Sequence, residues 1–149
     1  MIVTIRDYDE VSDQAFIMST WLKNFKDSSS VRAVPAPIYM EYQRKRIERI
    51  LARRDTKIHV ASSYDCPEFF YGYIVIGKPN VIHYMYVKQA CRKVKIAERL
   101  MEKLIWSEPI FYTHKSPDFN VERLLKENPK YSHFIYCPYL LEETQDVQA

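Results

Sequence analysis

Apolar side chains recur along this chain with two different periods, and the points where the period changes divide it into elements. A short strand is predicted at 2–6, followed by Val11, Ala15, Met18, Leu22 and Phe25 at three- and four-residue spacing, the mark of a helix over 10–25. Ser28, Ser29 and Ser30 and the Val34-Pro-Ala-Pro37 run interrupt that pattern. Met40, Ile47, Ile50 and Leu51 then share one face of a second helix, 38–54. After Asp55 the period shortens to that of strands: 57–62, then 69–76, then 81–88, joined by the turn-like segments Tyr64-Asp-Cys-Pro67 and Lys78-Pro-Asn80. Three consecutive strands with short turns predict an antiparallel meander. A helix over 93–106, a strand at 110–113, a helix at 120–127 and a strand at 133–136 complete the order βααβββαβαβ. That order is an α+β or mixed-sheet arrangement. Residues 1–141 form one domain in this reading, and the polar stretch 142–149 is a frayed tail.

Composition narrows the class without naming an activity. A chain of 149 residues can bury a core without metal or disulfide staples, and twelve Tyr in an aromatic fraction of 14% argue for a globular protein. The net charge of +3 favours an anionic partner weakly, so a small phosphorylated ligand fits as well as nucleic acid. Cys66, Cys91 and Cys137 are odd in number and lack C-x-x-C spacing, which argues against a disulfide framework and against a zinc site. No metal ligands are assigned, and the expected home is a reducing cytoplasm. The start MIVTIRDYDE has no charged-then-apolar leader, and no apolar run reaches bilayer length, so no membrane contact is expected.

The candidate chemistry lies between Val81 and Met101. There VIHYMYVK, a strand pattern, passes through QACRKVK directly into the helical pattern IAERLMEKLIW. A strand feeding a helix through a short basic turn aims the first N–H groups of the helix at one point, an arrangement that suits a phosphate.

The segment VIHYMYVKQACRKVKIAERLM resembles the acetyl-CoA-binding motif of the GNAT superfamily of N-acetyltransferases. The family pattern is a strand ending in Val, a loop, then Arg/Gln-x-x-Gly-x-Gly/Ala opening a helix; Val87 matches the strand end, and Arg92, Ile96 and Ala97 match the turn. The element order of nearly the whole chain is also similar to that family's, with a mostly antiparallel central sheet flanked by helices. The resemblance implies that strand 81–87 splays from its neighbour and that pantetheine enters the gap against the backbone of Met85, Tyr86 and Val87. The pyrophosphate would then sit over Arg92, Lys93, Val94, Lys95, Ile96 and Ala97. An amine would attack the thioester carbonyl directly, aided by an oxyanion-stabilising N–H, a proton acceptor and a group that protonates the thiolate.

The chain departs from the pattern at the glycines. Lys95 stands where the family has Gly, Lys93 follows the Arg, and Gly72 and Gly77 are the chain's two glycines. Depending on which way it faces, Lys95 either blocks close approach of the backbone to a phosphate or helps to neutralise one. Tyr131 occupies the region of the family's Tyr acid, although the Gly that precedes the following Phe in relatives is absent. His83, on the cofactor strand, is a candidate base by residue type; a buried, hydrogen-bonded strand His is the plainer reading. Trp21, Tyr84 and Tyr112 are candidates for an acceptor cleft, with core packing as the alternative. Cys91 beside Arg92 is either a reactive thiol or an inert one.

Three functions follow: an acetyl-CoA-dependent transferase acting on an amine of a small molecule or protein, the same fold kept as a non-catalytic binding protein, and a nucleic-acid binder. The last rests on Arg44, Lys45, Arg46, Arg49, Arg53 and Arg54, against which Glu41 and Glu48 supply pairing at helical spacing. The family also implies a possible homodimer through sheet edges.

Overall fold

The computed structural model describes residues 2–26, 33–113 and 121–141, without the side chains of Phe25, Lys26, Arg92, Lys93, Val94 and Leu141. The predicted tail 142–149, the serine-rich break and the start of the last helix at Asn120 lie outside the described residues.

Six strands form one sheet in the order β1-β2-β3-β4-β5-β6: β1 Val3–Asp7, β2 Lys57–Ser63, β3 Phe70–Gly77, β4 Val81–Val87, β5 Ile110–Tyr112 and β6 Phe134–Tyr136. The first four are antiparallel to one another; β2, β3 and β4 are the predicted meander, and β1 extends it at the β2 edge. β5 and β6 join in parallel, because a helical connection returns the chain to the starting end of the sheet before each of them.

Helices α1 (Glu10–Lys26) and α2 (Ala36–Ala52) cover one face, packing Ile17, Trp21, Leu22, Tyr39, Ile47 and Ile50 on Ile58, Val60, Tyr73, Val75 and Tyr84. The short helices α3 (Ile96–Met101) and α4 (Val121–Glu127) cover the other, where Ile96, Leu100, Met101 and Val121 meet Ile74, Ile76, Ile82, Met85 and Val87. β3 alternates cleanly, with Tyr73 and Val75 on one face and Ile74 and Ile76 on the other. Such a strand, buried on both sides, reads as a continuous apolar run.

α3 corrects the predicted helix 93–106. Gln89–Val94 is a 3-10 helix, and α3 ends at Met101, after which i→i−3 bonds such as Leu104 N–H to the Met101 carbonyl (3.1 Å) tighten the chain. Two side chains end the helix. Trp106 donates its indole N–H to the Met101 carbonyl at 2.9 Å, and Asn80 holds the following loop through the Ile105 N–H (3.0 Å) and the Ile105 and Pro109 carbonyls.

α1 begins at a charged joint. Asp9 caps it by accepting from the Val11 N–H (3.0 Å), and Asp13 accepts from the Asp9 N–H (2.8 Å) and from both terminal nitrogens of Arg6 on β1 (2.7 and 2.8 Å). Asp13 is 1% exposed and Arg6 22%. Burial alone would raise the Asp13 pKa; the Arg6 bonds, the Asp9 N–H and Ser12 outweigh it, so the carboxyl titrates below the ordinary aspartate range. At the same edge of the sheet, Arg99 reaches across to donate to the Val3 carbonyl at 2.9 Å. Among the described residues no helix is long and apolar enough to cross a membrane.

Removing one partner of the Arg6–Asp13 pair leaves a buried charge uncompensated, so Arg6→Ala should lose about 3 kcal/mol in urea unfolding. A loss below about 1 kcal/mol would show the joint to be dispensable. Because the folded pKa of Asp13 is depressed, its contribution is complete above about pH 4, the unfolded value, and disappears as pH falls through the lowered folded one.

Candidate active site

The ladder between β4 and β5 is short. Val81 pairs with Phe111 and Ile82 with Tyr112, and Thr113 then closes the contact, its N–H donating to the Ile82 carbonyl and its hydroxyl to the His83 carbonyl, each at 3.2 Å. β4 continues for five residues beyond the last pair, to Val87. On its other side the ladder to β3 runs on, ending with the Lys88 N–H donating to the Tyr71 carbonyl at 2.8 Å. Antiparallel alternation therefore turns the backbone groups of Met85 and Val87 toward the β5 side, beyond the last β4–β5 pair among the described residues.

His83 directly follows Ile82, the last β4 residue paired with β5 among the described residues. The register between β3 and β4 shifts by one residue between Val75 and Ile76, and His83 is the extra residue, a β-bulge. Its ring, 1% exposed, occupies the space above Gly77, where a Cβ would run into the imidazole. Gly72 plays a parallel part at the far end, where a Cβ would meet the Tyr86 carbonyl. A glycine inside a strand signals such close approach. That signal finds the seat of His83 from the sequence; nothing in the sequence marks Thr113 as the residue that pins the fork.

The turn after β4 keeps its sharp bend without glycine. Lys95 has φ 62° and ψ 29°, the left-handed conformation, between the 3-10 helix and α3, and its side chain is exposed. A non-glycine residue held there costs about 1–2 kcal/mol relative to right-handed backbone. Beneath the bend, Ile96 and Leu100 are fully buried and Ala97 is half-buried against the same apolar cluster. The side chains of Arg92, Lys93 and Val94, assigned to the same role, lie outside the described residues.

Tyr131 lies in the 3-10 helix Pro129–His133 that follows α4, in the same cluster as Met85, Val87 and Ile96. It is 1% exposed, packed edge-on against Phe134 (5.4 Å, 89°) and Trp106 (6.1 Å, 61°). Its buried hydroxyl has no hydrogen-bond partner among the described residues. Burial, with the carboxylates of Glu98 and Glu127 adding to it, pushes the phenol pKa up.

The three predicted acceptor residues are divided by the sheet. Trp21 of α1 stacks flat on Tyr84 of β4 (5.2 Å, 7°), and the Tyr84 hydroxyl accepts from the Asn24 side-chain amide at 2.6 Å. Both rings are fully buried. Tyr112 belongs to the opposite face, 5.4 Å from the ring of Tyr136. Tyr86, half-buried, lies with Trp21 and Tyr84 on the α1 side, 5.9 Å from Phe16. Asn24 is a site neighbour that periodicity does not single out, because a polar residue near a helix end looks like any solvated one. Among the described residues no group of three or more His, Cys, Asp or Glu side chains is arranged to hold a metal.

No family model matches the sequence, and no curated protein matches it. Solved structures do. A protein from Pyrococcus furiosus described as a "Putative acetyl transferase" superposes with a TM-score of 0.55 at 17% identity, covering 68% of this chain and 71% of that one. This is the GNAT acetyltransferase fold. A GNAT-family acetyltransferase from Staphylococcus aureus Mu50 aligns at a TM-score of 0.47 and 14% identity, over 69% of this chain and 63% of that one. At these identities the likeness is one of fold. Within the GNAT fold, the strand fork and the bend at Lys95 fall on the segment whose residues resemble the family motif.

Lys95→Gly should therefore raise stability by about 0.5–1 kcal/mol, the left-handed penalty less the extra chain entropy of glycine. Gly77→Ala should lower it by about 1–3 kcal/mol through collision with His83. Combining Gly77→Ala with His83→Ala should recover most of that loss; thermal melts of the three variants measure the coupling.

Proposed function

We propose that this protein is an acetyl-CoA-dependent N-acetyltransferase acting on a primary amine of a small molecule or protein. The observation that supports the proposal is at the end of β4: among the described residues its pairing with β5 stops five residues before Val87, and alternation turns the Met85 backbone toward the β5 side there. A slot between two strands joins both faces of a sheet, so a thioester in it is reachable from either side. When bound, acetyl-CoA supplies that thioester.

The chain's own residues have the following parts. The Met85, Tyr86 and Val87 backbone holds the pantetheine arm, and the turn from Arg92 through Lys93, Val94, Lys95 and Ile96 to Ala97 receives the pyrophosphate. The exposed Lys95 side chain supports the second of the alternatives open to it, a cation beside the phosphates rather than a block beneath them. Tyr131 is the acid that protonates the departing thiolate: its raised pKa keeps the phenol protonated at neutral pH, and its hydroxyl is not committed to another described group. His83 at the bulge takes the proton of the amine, with Thr113 fixing its backbone and Gly77 giving its ring room. Tyr112 lies toward the acceptor on the α3 side, and the buried Trp21–Tyr84 stack backs β4 from the α1 side. Free thiols at Cys66, Cys91 and Cys137 fit a reducing compartment such as the cytoplasm.

Acetyl-CoA should raise the melting temperature, with stabilisation approaching about 2.7 kcal/mol at a hundredfold excess over Kd. Arg92→Glu should weaken that binding by charge reversal. Tyr131→Phe should bind acetyl-CoA normally and lose about 100-fold or more in kcat with an amine acceptor. The absence of any shift at millimolar acetyl-CoA would remove the proposal.

A further inference from the structure

A cation stands on the rings that hold Tyr131. Pro129 opens the 3-10 turn Pro129–His133 and Asn128 caps it by accepting from the Lys130 N–H at 3.0 Å, so Lys130 and Tyr131 leave one fixed stretch of backbone in succession. The Lys130 ammonium lies over two rings at once, 5.2 Å from the centroid of Trp106 and 5.3 Å from that of Tyr131. Both distances are within the reach of a cation–π contact. Trp106 is itself tied down, its indole N–H donating to the Met101 carbonyl at 2.9 Å.

The Tyr131 hydroxyl makes no hydrogen bond among the described residues, so its direction is set through the ring. Two edge-on neighbours, Trp106 and Phe134, confine the plane of that ring, and Lys130 bridges its face to Trp106. The charges around the phenol are of both signs. Glu98 acts on it from α3 and Glu127 from the last turn of α4, while its own turn supplies Lys130 and, at the far end, the exposed His133. Carboxylates favour the neutral phenol, and a cation within about 6 Å favours the phenolate. Burial and the carboxylates prevail here. An acid held too firmly in its neutral form is slow to give up its proton, and Lys130 works against that.

We infer that Lys130 is a positioning residue for Tyr131, fixing the direction of its hydroxyl and easing the release of its proton. The inference rests on the reading of Tyr131 as the acid that protonates the departing thiolate. In that step the amine has added to the thioester carbonyl and lost its proton to His83, the C–S bond breaks, and the thiolate takes the Tyr131 proton. The phenolate left behind lies beside the Lys130 ammonium until solvent reprotonates it. Arginine can take the place of lysine here, because a guanidinium also stacks on aromatic faces; methionine keeps the apolar stem and removes the charge.

Two measurements on the full chain test this in Lys130→Met, Lys130→Arg and Lys126→Met, the last a control that removes another exposed cation, from the last turn of α4. The first is NMR of isotope-labelled tyrosine, with the Tyr131 signal assigned by its loss in Tyr131→Phe. That signal should titrate at higher pH in Lys130→Met than in the wild type, and at the wild-type position in Lys130→Arg and in the control. The second is turnover of acetyl-CoA with an amine acceptor. Lys130→Met should lower kcat about two- to fivefold, leave KM for acetyl-CoA unchanged and move the alkaline limb of the pH profile upward, and Lys130→Arg should restore all three. Lys130 is exposed, so the fold should persist, and a thermal melt checks that it does. The inference is overturned if Tyr131 titrates alike in Lys130→Met and the wild type, or if Lys130→Arg behaves as Lys130→Met does. A wild type that neither binds acetyl-CoA nor turns over an amine removes the acetyltransferase reading instead, and the titration then decides the Lys130–Tyr131 contact alone.

Discussion

Among the described residues β4 is paired along its length on one side and at two positions on the other, and this asymmetry organises the molecule around β4. On one side β3 supplies partners along the whole strand. On the other, β5 supplies them at two positions and Thr113 closes the contact with a side chain. The bulge at His83 lies where the change occurs, and the extra residue also alters which backbone groups face β5. The described β4–β5 contact is thus marked by three local features, a short β5, a hydroxyl pin and a bulge seated on a glycine.

The two faces beside the fork are built differently. On the α1 side a continuous run of rings links Trp21, Tyr84, Tyr73, Tyr86, Phe16 and Phe70, each within 4.8–5.9 Å of the next. Its hydroxyls are tied down, Tyr73 to the Ile17 carbonyl and to Thr20, and Tyr84 to Asn24. This is a rigid bed. The α3 side is largely aliphatic, with aromatic rings at Tyr71, Tyr112 and the Trp106–Tyr131–Phe134 corner, and in that corner a buried phenol is left with its hydroxyl uncommitted among the described residues. Hydroxyls fixed on one face thus contrast with one on the other that is uncommitted among the described residues.

The long antiparallel strands were legible because alternation and continuous apolar runs are written locally: 57–62, 69–76 and 81–88 differ from the observed β2, β3 and β4 by a residue or so. The over-long third helix has an equally local cause. Ile96, Leu100 and Leu104 keep four-residue spacing and are all buried in one cluster, so the pattern continues where the helix does not. Periodicity reports burial, whereas the helix end is decided by Asn80 and Trp106 reaching in from elsewhere. The strand fork has the same character. Which residues of β4 lose their β5 partner depends on where β5 stops, a distant fact that the resemblance implies and that composition and spacing do not contain. The division of Trp21 and Tyr84 from Tyr112 likewise needed the register, since one residue of slip exchanges the faces.

The Arg99 contact with Val3 bears on how molecules of this protein meet one another. β1 is an outer strand, and its Val3 carbonyl points away from β2 into the position where a foreign strand would dock. A long cationic side chain already occupies that acceptor, so an incoming backbone must displace a charged bond before gaining a neutral one. This flank of the sheet is thereby guarded against run-on stacking at high protein concentration.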